Sequence, residues 1–205
     1  MFIFSKNLLI DKKRCSFVAQ KEIETFYPKS QAEWRLWLSE NHITADAVWL
    51  IYYKKKTNQP SISWSVAVDE ALCFGWIDSV HKTLDEGRSI QFFTKRKPKS
   101  MWSKVNKQKV IELIDKGFIM QAGLDCIEIA KKNGSWTILD DVEELIIPVD
   151  FATELNIQNL MDDFLSMSKS VRKMMLHRVT LAKRPETRQK YIAEAIDFIQ
   201  QKREK

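Results

Sequence analysis

The sequence predicts an α+β protein in which a small antiparallel sheet of about three strands packs with helices and is followed by a mostly helical carboxyl-terminal half. Residues 48–53, VWLIYY, are apolar and rich in β-forming side chains, which favours a central strand. Residues 77–84 and 89–94 are β-compatible runs on either side of a four-residue turn, which is typical of a hairpin. Beyond residue 100, apolar residues recur at helical spacing between capping residues.

The first helix is predicted by its capping signal. Ser30 is followed three residues later by Glu33, which forms a capping box. The apolar face of this helix comprises Trp34, Trp37 and Leu38. Residues 23–28 form a short extended piece before it, and Ser63 or Ser65 caps the next helix.

The chain is predicted to divide into four parts. These are a loosely attached extension over residues 1–22, an α+β domain over 23–134, an acidic connector over 135–149, and a helical part over 150–205 that packs on the first domain. In the extension the apolar residues are interrupted by polar ones and precede the cations, an order that is wrong for a signal peptide. No apolar window is long enough for a membrane span, so we expect a cytoplasmic protein. The carboxylates of the connector are Asp140, Asp141, Glu143 and Glu144.

Composition limits the classes of function. The chain has 205 residues, 44% of them hydrophobic, which is typical of a globular protein. The formal net charge of +6 favours anionic partners, but the excess is spread along the chain and does not by itself indicate nucleic acid. The three cysteines and three scattered histidines lack metal-ligand spacing, and no glycine-rich nucleotide loop occurs. We therefore expect a reducing compartment, no metal and no cofactor.

The junction after the hairpin is predicted to be an anion site. Ser100 is the expected N-cap of a helix that begins at Met101 and ends at Gly117. The first turn of a helix attracts anions, because its N–H groups are unpaired and carry partial positive charge. The alternative is a solvated basic turn before an ordinary helix. The side chains of the predicted cradle are the cations Arg96, Lys97, Lys99 and Lys104 and the hydroxyls of Ser100 and Ser103.

Two further expectations concern this junction. Arg96 is expected to be a loop cation with little packing role, so that Arg96→Ala would leave the fold intact and remove only anion binding. The apolar residues expected to form the buried side of the helix are Trp102, Val105, Ile111 and Ile114.

The carboxyl-terminal helices are marked by caps. Asp150 and Ser168 are each predicted to cap a helix, and Pro185 takes the first position of the last one. The apolar face of that last helix comprises Ile192, Ala195, Ile196 and Ile199.

The elbow before the last helix is also basic. Lys183 has a structural explanation, because a cation stabilises the carboxyl end of the preceding helix. Arg184 and Arg188 are open to two interpretations, a structural one and a two-pronged clamp for a carboxylate or phosphate.

Four motifs together resemble the YdeI/OmpD-associated family, also called bacteriocin-protection proteins. They are ALCFGWIDS (71–79), RKPKSMWSKVN (96–106), NGSW (133–136) and AKRPETR (182–188), and the resemblance runs from about residue 24 to the end. It implies resistance to antimicrobial peptides or envelope stress and an outer-membrane partner, but no reaction. The residues that it implies as a shared site are Trp76, Asp78, Arg96, Ser100, Trp102, Ser103, Asn106, Arg184 and Arg188.

Three functions follow as hypotheses. In the first, a small anionic ligand binds in a pocket lined by Trp76 and Trp102 with arginine and serine donors, and Asp78 orients an arginine or acts as a base. In the second, the protein binds nucleic acid or another anionic polymer, with aromatic stacking and lysine–phosphate contacts. In the third, it is a protein adaptor that docks through its acidic connector and basic elbow.

Catalysis is left open, since neither candidate nucleophile is favoured. Cys73 lies in the last turn of a helix, where the dipole disfavours a thiolate. Asp78 and His81 cannot both address Ser79, because neighbours along a strand point to opposite faces.

Overall fold

A computed structural model describes residues 23–204. The predicted extension over residues 1–22 lies outside the described residues. The strands are β1 (Thr25–Phe26), β2 (Ala47–Tyr53), β3 (Trp76–Thr83) and β4 (Arg88–Lys95). The helices are α1 (Gln31–Asn41), α2 (Trp64–Cys73), α3 (Lys104–Asp115), α4 (Gln121–Lys132), α5 (Asp140–Glu143), α6 (Val149–Ile157), α7 (Met161–Ser166), α8 (Lys169–Leu181) and α9 (Pro185–Arg203). The α+β class is confirmed.

The sheet has the strand order β1-β2-β4-β3. Strands β3 and β4 form the predicted antiparallel hairpin, and β2 pairs antiparallel with β4. Strand β1 adds a fourth strand that runs parallel to β2, so the sheet is mixed rather than purely antiparallel. The sequence showed only a short extended piece there, because two residues carry no alternation that could identify a strand.

Aromatic packing fixes the first helix against the sheet. The Ser30 hydroxyl accepts a hydrogen bond from the Glu33 amide, as the capping signal predicts. Trp34 and Trp37 lie with ring centroids 5.2 Å apart, and the Trp34 indole donates to the Ala67 carbonyl at 3.0 Å. Helices α1 and α2 are thereby joined over one face of the sheet.

Gly75 makes the tight connection between α2 and β3. Its φ of +72° favours glycine, and a Cβ there would lie 2.7 Å from the Cys126 sulfur and 2.8 Å from the Ala122 carbonyl oxygen. Its own carbonyl accepts a hydrogen bond from the Arg96 amide at 2.9 Å. The glycine therefore positions the start of the basic segment that follows β4.

The predicted start of α3 was wrong. The helix begins at Lys104, because the Ser103 hydroxyl caps it by accepting from the Asn106 amide at 3.2 Å. Ser100 and Met101, where the sequence places the cap and the first turn, belong to the preceding loop.

The predicted buried face of α3 was wrong as well. Val110 is the buried residue of the helix, which faces α2. Trp102 is buried as expected, but it precedes the helix. The other three predicted residues do not lie together on one side of a helix with 3.6 residues per turn, and only one side of the helix can pack against the core. The residues predicted to be buried that are more than 40% exposed are Val105, Ile111 and Ile114.

The carboxyl-terminal helices enclose a second apolar core, which shares no residue with the core beneath the sheet. The Ser168 cap and the position of Pro185 are confirmed. Asp150 lies in the first turn of α6 and does not cap it, since the N-cap is Pro148. The division of the chain into an α+β domain over 23–134 and a helical part over 150–205 stays a prediction. The buried residues of α9 are those that the periodicity predicts: Ile192, Ala195, Ile196 and Ile199.

No helix between residues 23 and 204 combines the length and apolar composition needed to cross a membrane.

Candidate functional site

Arg96 is buried against Trp102 instead of being displayed on the basic loop. The residue is 8% exposed, and its guanidinium carbon lies 3.7 Å from the centroid of the Trp102 ring. Its Nη1 donates to the Met101 carbonyl at 2.9 Å. Burial lowers the pKa of the guanidinium to about 10, so it stays charged at neutral pH. The expectation that Arg96 has little packing role was wrong, since it joins the two ends of loop 96–101.

Residues of the NGSW motif also hold the same loop, through hydrogen bonds to its backbone. The Asn133 side-chain amide donates to the Pro98 carbonyl at 2.7 Å, and the Ser135 hydroxyl donates to it at 3.4 Å. Trp136 packs against Trp102 with ring centroids 5.0 Å apart. The loop backbone is therefore held at both Pro98 and Met101, while its lysine side chains extend into solvent.

Trp76 and Asp78 make contacts within the protein. Trp76 is 0% exposed, and its indole donates to the His42 carbonyl at 3.2 Å. It is part of the core under the sheet, so its ring is not exposed to a ligand in this structure. Asp78 accepts hydrogen bonds at Oδ2 from Trp64 at 2.9 Å and from Gln91 at 3.1 Å. Both side chains are therefore engaged by contacts within the protein.

The beginning of α3 is occupied by internal contacts. The Ser103 hydroxyl is used as the cap, and the backbone amide of Asn106 is its donor. Ser100 does not cap a helix; its amide donates to the Lys97 carbonyl at 2.9 Å within the loop. These residues shape the loop and the helix end, which is the structural interpretation of their pattern.

Three carboxylates of the acidic connector form ion pairs with lysines of α3 and α8. Lys104 Nζ lies 2.8 Å from Glu144 Oε1, and this hydrogen bond raises the pKa of Lys104 and lowers the pKa of Glu144. Lys104 is therefore not a free donor of the predicted cradle. The ion pairs between the connector and the flanking helices are Lys104–Glu144, Lys107–Asp140 and Lys173–Glu143.

Arg188 ties three helices together. Its Nε and Nη2 bind the two carboxylate oxygens of Asp150 at 2.5 and 2.8 Å, and its Nη1 donates to the Val179 carbonyl at 2.8 Å. The hydrogen bond from Arg188 lowers the pKa of Asp150. This fork geometry favours the structural interpretation for Arg188. Arg184 is exposed and has no side-chain partner among residues 23–204.

A groove of about 580 Å³ lies between the basic loop, the NGSW motif and the elbow that follows α8. We call it the elbow groove. Three of the four sequence motifs contribute to it. Its lining residues are Lys99, Met101, Asn133, Gly134, Ser135, Ile138, Thr180, Leu181 and Lys183.

The sequence predicted only part of this groove. It placed Lys99 in an anion cradle but did not reveal that Asn133, Ser135 and Lys183 approach the same loop. The signal that could have indicated the groove is the presence of two basic turns, at residues 95–99 and 183–188, since two such turns can lie beside each other in the folded protein.

The chemistry of the elbow groove is basic and partly apolar. Lys99 and Lys183 are exposed, and neither forms an ion pair within the described part of the chain. No carboxylate lines the groove, whereas Met101, Ile138 and Leu181 give it apolar walls. Such a lining suits a molecule that carries both an anionic group and an apolar portion.

The described residues give little support for nucleophilic or metal chemistry. Burial raises the pKa of the Cys73 thiol to about 11, so the thiolate is scarce at neutral pH. Across residues 23–204 no group of three or more His, Cys, Asp or Glu side chains is arranged to hold a metal ion.

Fold and groove define an α+β protein with a mixed sheet, in which the loop after β4, the NGSW motif and the elbow after α8 line a basic groove. Residues 144–202 match the family model described as "Bacteriocin-protection, YdeI or OmpD-Associated". The predicted resemblance is thus confirmed for the carboxyl-terminal part of the chain, and three of the four motifs lie outside that match. Residues 26–126 match "Domain of unknown function (DUF8412)". Comparisons with curated proteins and with solved structures gave no match.

Proposed function

We propose that the protein binds a small anionic ligand in the elbow groove, with Lys99 and Lys183 holding its phosphate or carboxylate. The observation that carries this proposal is that two lysines line one concavity that no carboxylate lines. An anion bound between the two lysines would be attracted by both charges.

Loop rigidity supports the proposal. Arg96, Asn133 and Ser135 fix the backbone on either side of Lys99 through the carbonyls of Met101 and Pro98. A ligand therefore orders only the lysine side chain and not the loop, which limits the entropy lost on binding. The residues that position the site in this proposal without contacting the ligand are Arg96, Trp102, Ser103 and Asn106.

The shape of the groove favours a small ligand over a polymer. Cations that converge on a concavity suit one anionic group, whereas nucleic acid requires an extended basic strip. Only Lys99 and Lys183 supply cations to the groove lining. The adaptor hypothesis loses support because three of the four connector carboxylates already pair with lysines of the chain.

The biological setting is part of the proposal. The description of the family that matches residues 144–202 supports a role in protection against bacteriocins or related envelope stress. A cytoplasmic location is supported by the free thiols of Cys73 and Cys126, which are typical of a reducing compartment. We propose binding and no reaction.

The test is a thermal-shift titration with octyl phosphate, inorganic phosphate and AMP. At roughly ten times its Kd, octyl phosphate should raise the Tm of the wild-type protein by about 3 °C. Lys99→Ala/Lys183→Ala should lose most of this shift. The matched control is Lys29→Ala/Lys116→Ala, which removes the same charge from exposed sites outside the groove lining. An unchanged shift in the groove variant would overturn the proposal.

Affinity measured over a series of salt concentrations distinguishes the polymer hypothesis from the small-ligand proposal. Binding of a single-stranded oligonucleotide with a steep loss of affinity as salt rises, corresponding to roughly five or more phosphate contacts, would replace the small-ligand proposal.

A further inference from the structure

A second groove, of about 690 Å³, lies between α6 and α9. We call it the acidic groove, because its lining includes the carboxylates Asp150, Glu154 and Asp197. It shares no lining residue with the elbow groove, and none of the family-derived site residues lines it. Any role of this groove is therefore additional to the site proposed above.

The acidic groove follows both helices lengthwise. On α9 its lining residues run from Gln189 to Gln200 at the spacing i, i+3, i+4, i+7, i+8 and i+11, which is one stripe of about three helical turns. On α6 they are Asp150, Glu154 and Gln158, at intervals of four residues. Two packed helices that each contribute a continuous stripe leave an elongated furrow, and such a furrow suits a third helix.

The floor of the acidic groove is apolar. Ile192 and Ile196 lie one turn apart on α9 and form the mostly buried floor, while Ala193 between them is exposed. Ile157 follows Asp150 by seven residues and so lies on the same side of α6, where it is 66% exposed. An apolar helix face that covers these side chains removes their surface from water, which favours docking.

The rim of the acidic groove carries uncompensated negative charge. Within the described residues no lysine or arginine lines it. Arg188 already binds Asp150, but Glu154 and Asp197 form no ion pair among residues 23–204. The Gln158 side-chain amide donates to Glu154 Oε1 at 3.1 Å and so limits the motion of that carboxylate.

The charge of this groove is opposite to that of the whole chain. The formal net charge of the protein is +6, so a basic partner is repelled by the molecule in general. It is attracted only where carboxylates lie together without cations. A partner that binds in the acidic groove must therefore match it locally, with cations beside an apolar face.

We propose that the acidic groove docks a basic amphipathic helix of a partner protein. The apolar face of that helix covers Ala193, Ile157 and the isoleucine floor, and its lysines or arginines pair with Glu154 and Asp197. This interaction does not rest on the function proposed for the elbow groove.

The probe for this proposal is a synthetic peptide of about 14 residues, LKKLLKLLKKLLKL, which has one apolar and one basic face when it is helical. Calorimetry with the full-length protein at low salt measures its Kd. Glu154→Gln/Asp197→Asn should raise the Kd about tenfold, because two charge pairs are lost. Ala193→Arg places a bulky cation in the groove and should abolish binding.

The matched control is Glu112→Gln/Asp115→Asn. It removes one glutamate and one aspartate charge from exposed positions of α3, which lie outside the groove lining. This variant should bind the peptide as the wild type does. Lys99→Ala/Lys183→Ala should bind it at least as tightly as the wild type, so failure of this interaction and failure of the elbow groove are distinguishable.

Four results would each overturn the proposal. One is an absence of saturable binding up to about 1 mM peptide. Another is equal affinity for a peptide of the same composition whose leucines and lysines are shuffled so that no apolar face forms. The third is an unchanged Kd in both groove variants. The last is a wild-type protein that sediments as a dimer while Ala193→Arg sediments as a monomer, since the groove would then hold a second copy of the chain.

Discussion

The guanidinium carbon of Arg96 lies 3.7 Å from the centroid of the Trp102 ring, and both side chains are buried. The cation is stabilised by the face of the indole and by the Met101 carbonyl. A guanidinium held in this way supports the loop, while Lys99, the cation of the proposed site, stays exposed. The loop can therefore be rigid and cationic at the same time.

Arg96→Ala should lower the free energy of unfolding by about 2 kcal/mol, because a desolvated cation–π contact and a charged hydrogen bond are both lost. Urea unfolding followed by circular dichroism measures the change. Lys97→Ala is the control, since Lys97 is an exposed neighbour and its replacement should change stability by less than about 0.5 kcal/mol. Equal effects of the two substitutions would contradict a packing role for Arg96.

Gly75→Ala should be far more damaging than Gly134→Ala. Both glycines have positive φ, +72° and +79°, so alanine at either position carries the left-handed strain of roughly 1 kcal/mol. A Cβ at Gly75 also meets the Ala122 carbonyl oxygen at 2.8 Å, whereas nothing lies within 4 Å of one at Gly134. We expect a total loss of about 3 kcal/mol at Gly75, measured by urea unfolding. Similar losses of unfolding free energy at both positions would show that the α2–β3 junction accommodates a Cβ at Gly75 without added strain.

The Lys107–Asp140 pair should couple α3 to the connector. A double-mutant cycle with Lys107→Ala and Asp140→Ala should give a coupling free energy of about 0.5–1 kcal/mol that shrinks as salt is added. The Lys132–Glu128 pair is more exposed and lies within one helix, so its cycle should give about 0.3 kcal/mol. A Lys107–Asp140 coupling near zero would mean that apolar contacts alone hold the connector.

The Asp150–Arg188 ion pair should make the stability of the fold depend on pH. Arg188 lowers the pKa of Asp150 below its usual 3.8, so the stabilisation is fully present above that pH and is lost as the pH falls through the lower folded-state pKa. Asp150→Asn should cost no more than about 1 kcal/mol at pH 7, because the carboxylate is half-exposed and screened. The difference from wild type should shrink on acidification below the usual value.

Denaturant unfolding at several pH values measures this difference. Asp162→Asn is the control, because Asp162 is exposed and forms no ion pair among residues 23–204. A deficit in Asp150→Asn that stays constant down to the lowest pH at which the protein folds would contradict the electrostatic origin.

Local sequence patterns were sufficient to predict the elements whose buried residues recur with a single helical period. The face of α9 and the Ser168 cap were predicted because apolar spacing and capping chemistry act within a few residues. The position of α3 was missed because Ser100 and Ser103 are both acceptable caps, and the choice depends on Arg96 closing the loop through Met101.

Long-range contacts decided the candidate site. The sequence shows that Arg96 and Arg188 are cations, but not that an indole and Asp150 already engage them. It likewise does not show that Asn133 reaches Pro98, which lies 35 residues earlier in the chain. Charge pattern thus predicted a basic region, while tertiary packing determined which of its cations stay available to a ligand.

An NMR titration with octyl phosphate tests the proposed anion site most directly, because it locates the bound molecule. We expect the backbone amides of residues 99–101, 133–135 and 180–183 to shift together and to saturate with one Kd, and we expect Lys99→Ala/Lys183→Ala to abolish these shifts. Shifts that are scattered over exposed lysines, or that leave those three segments unmoved, would contradict binding in the elbow groove.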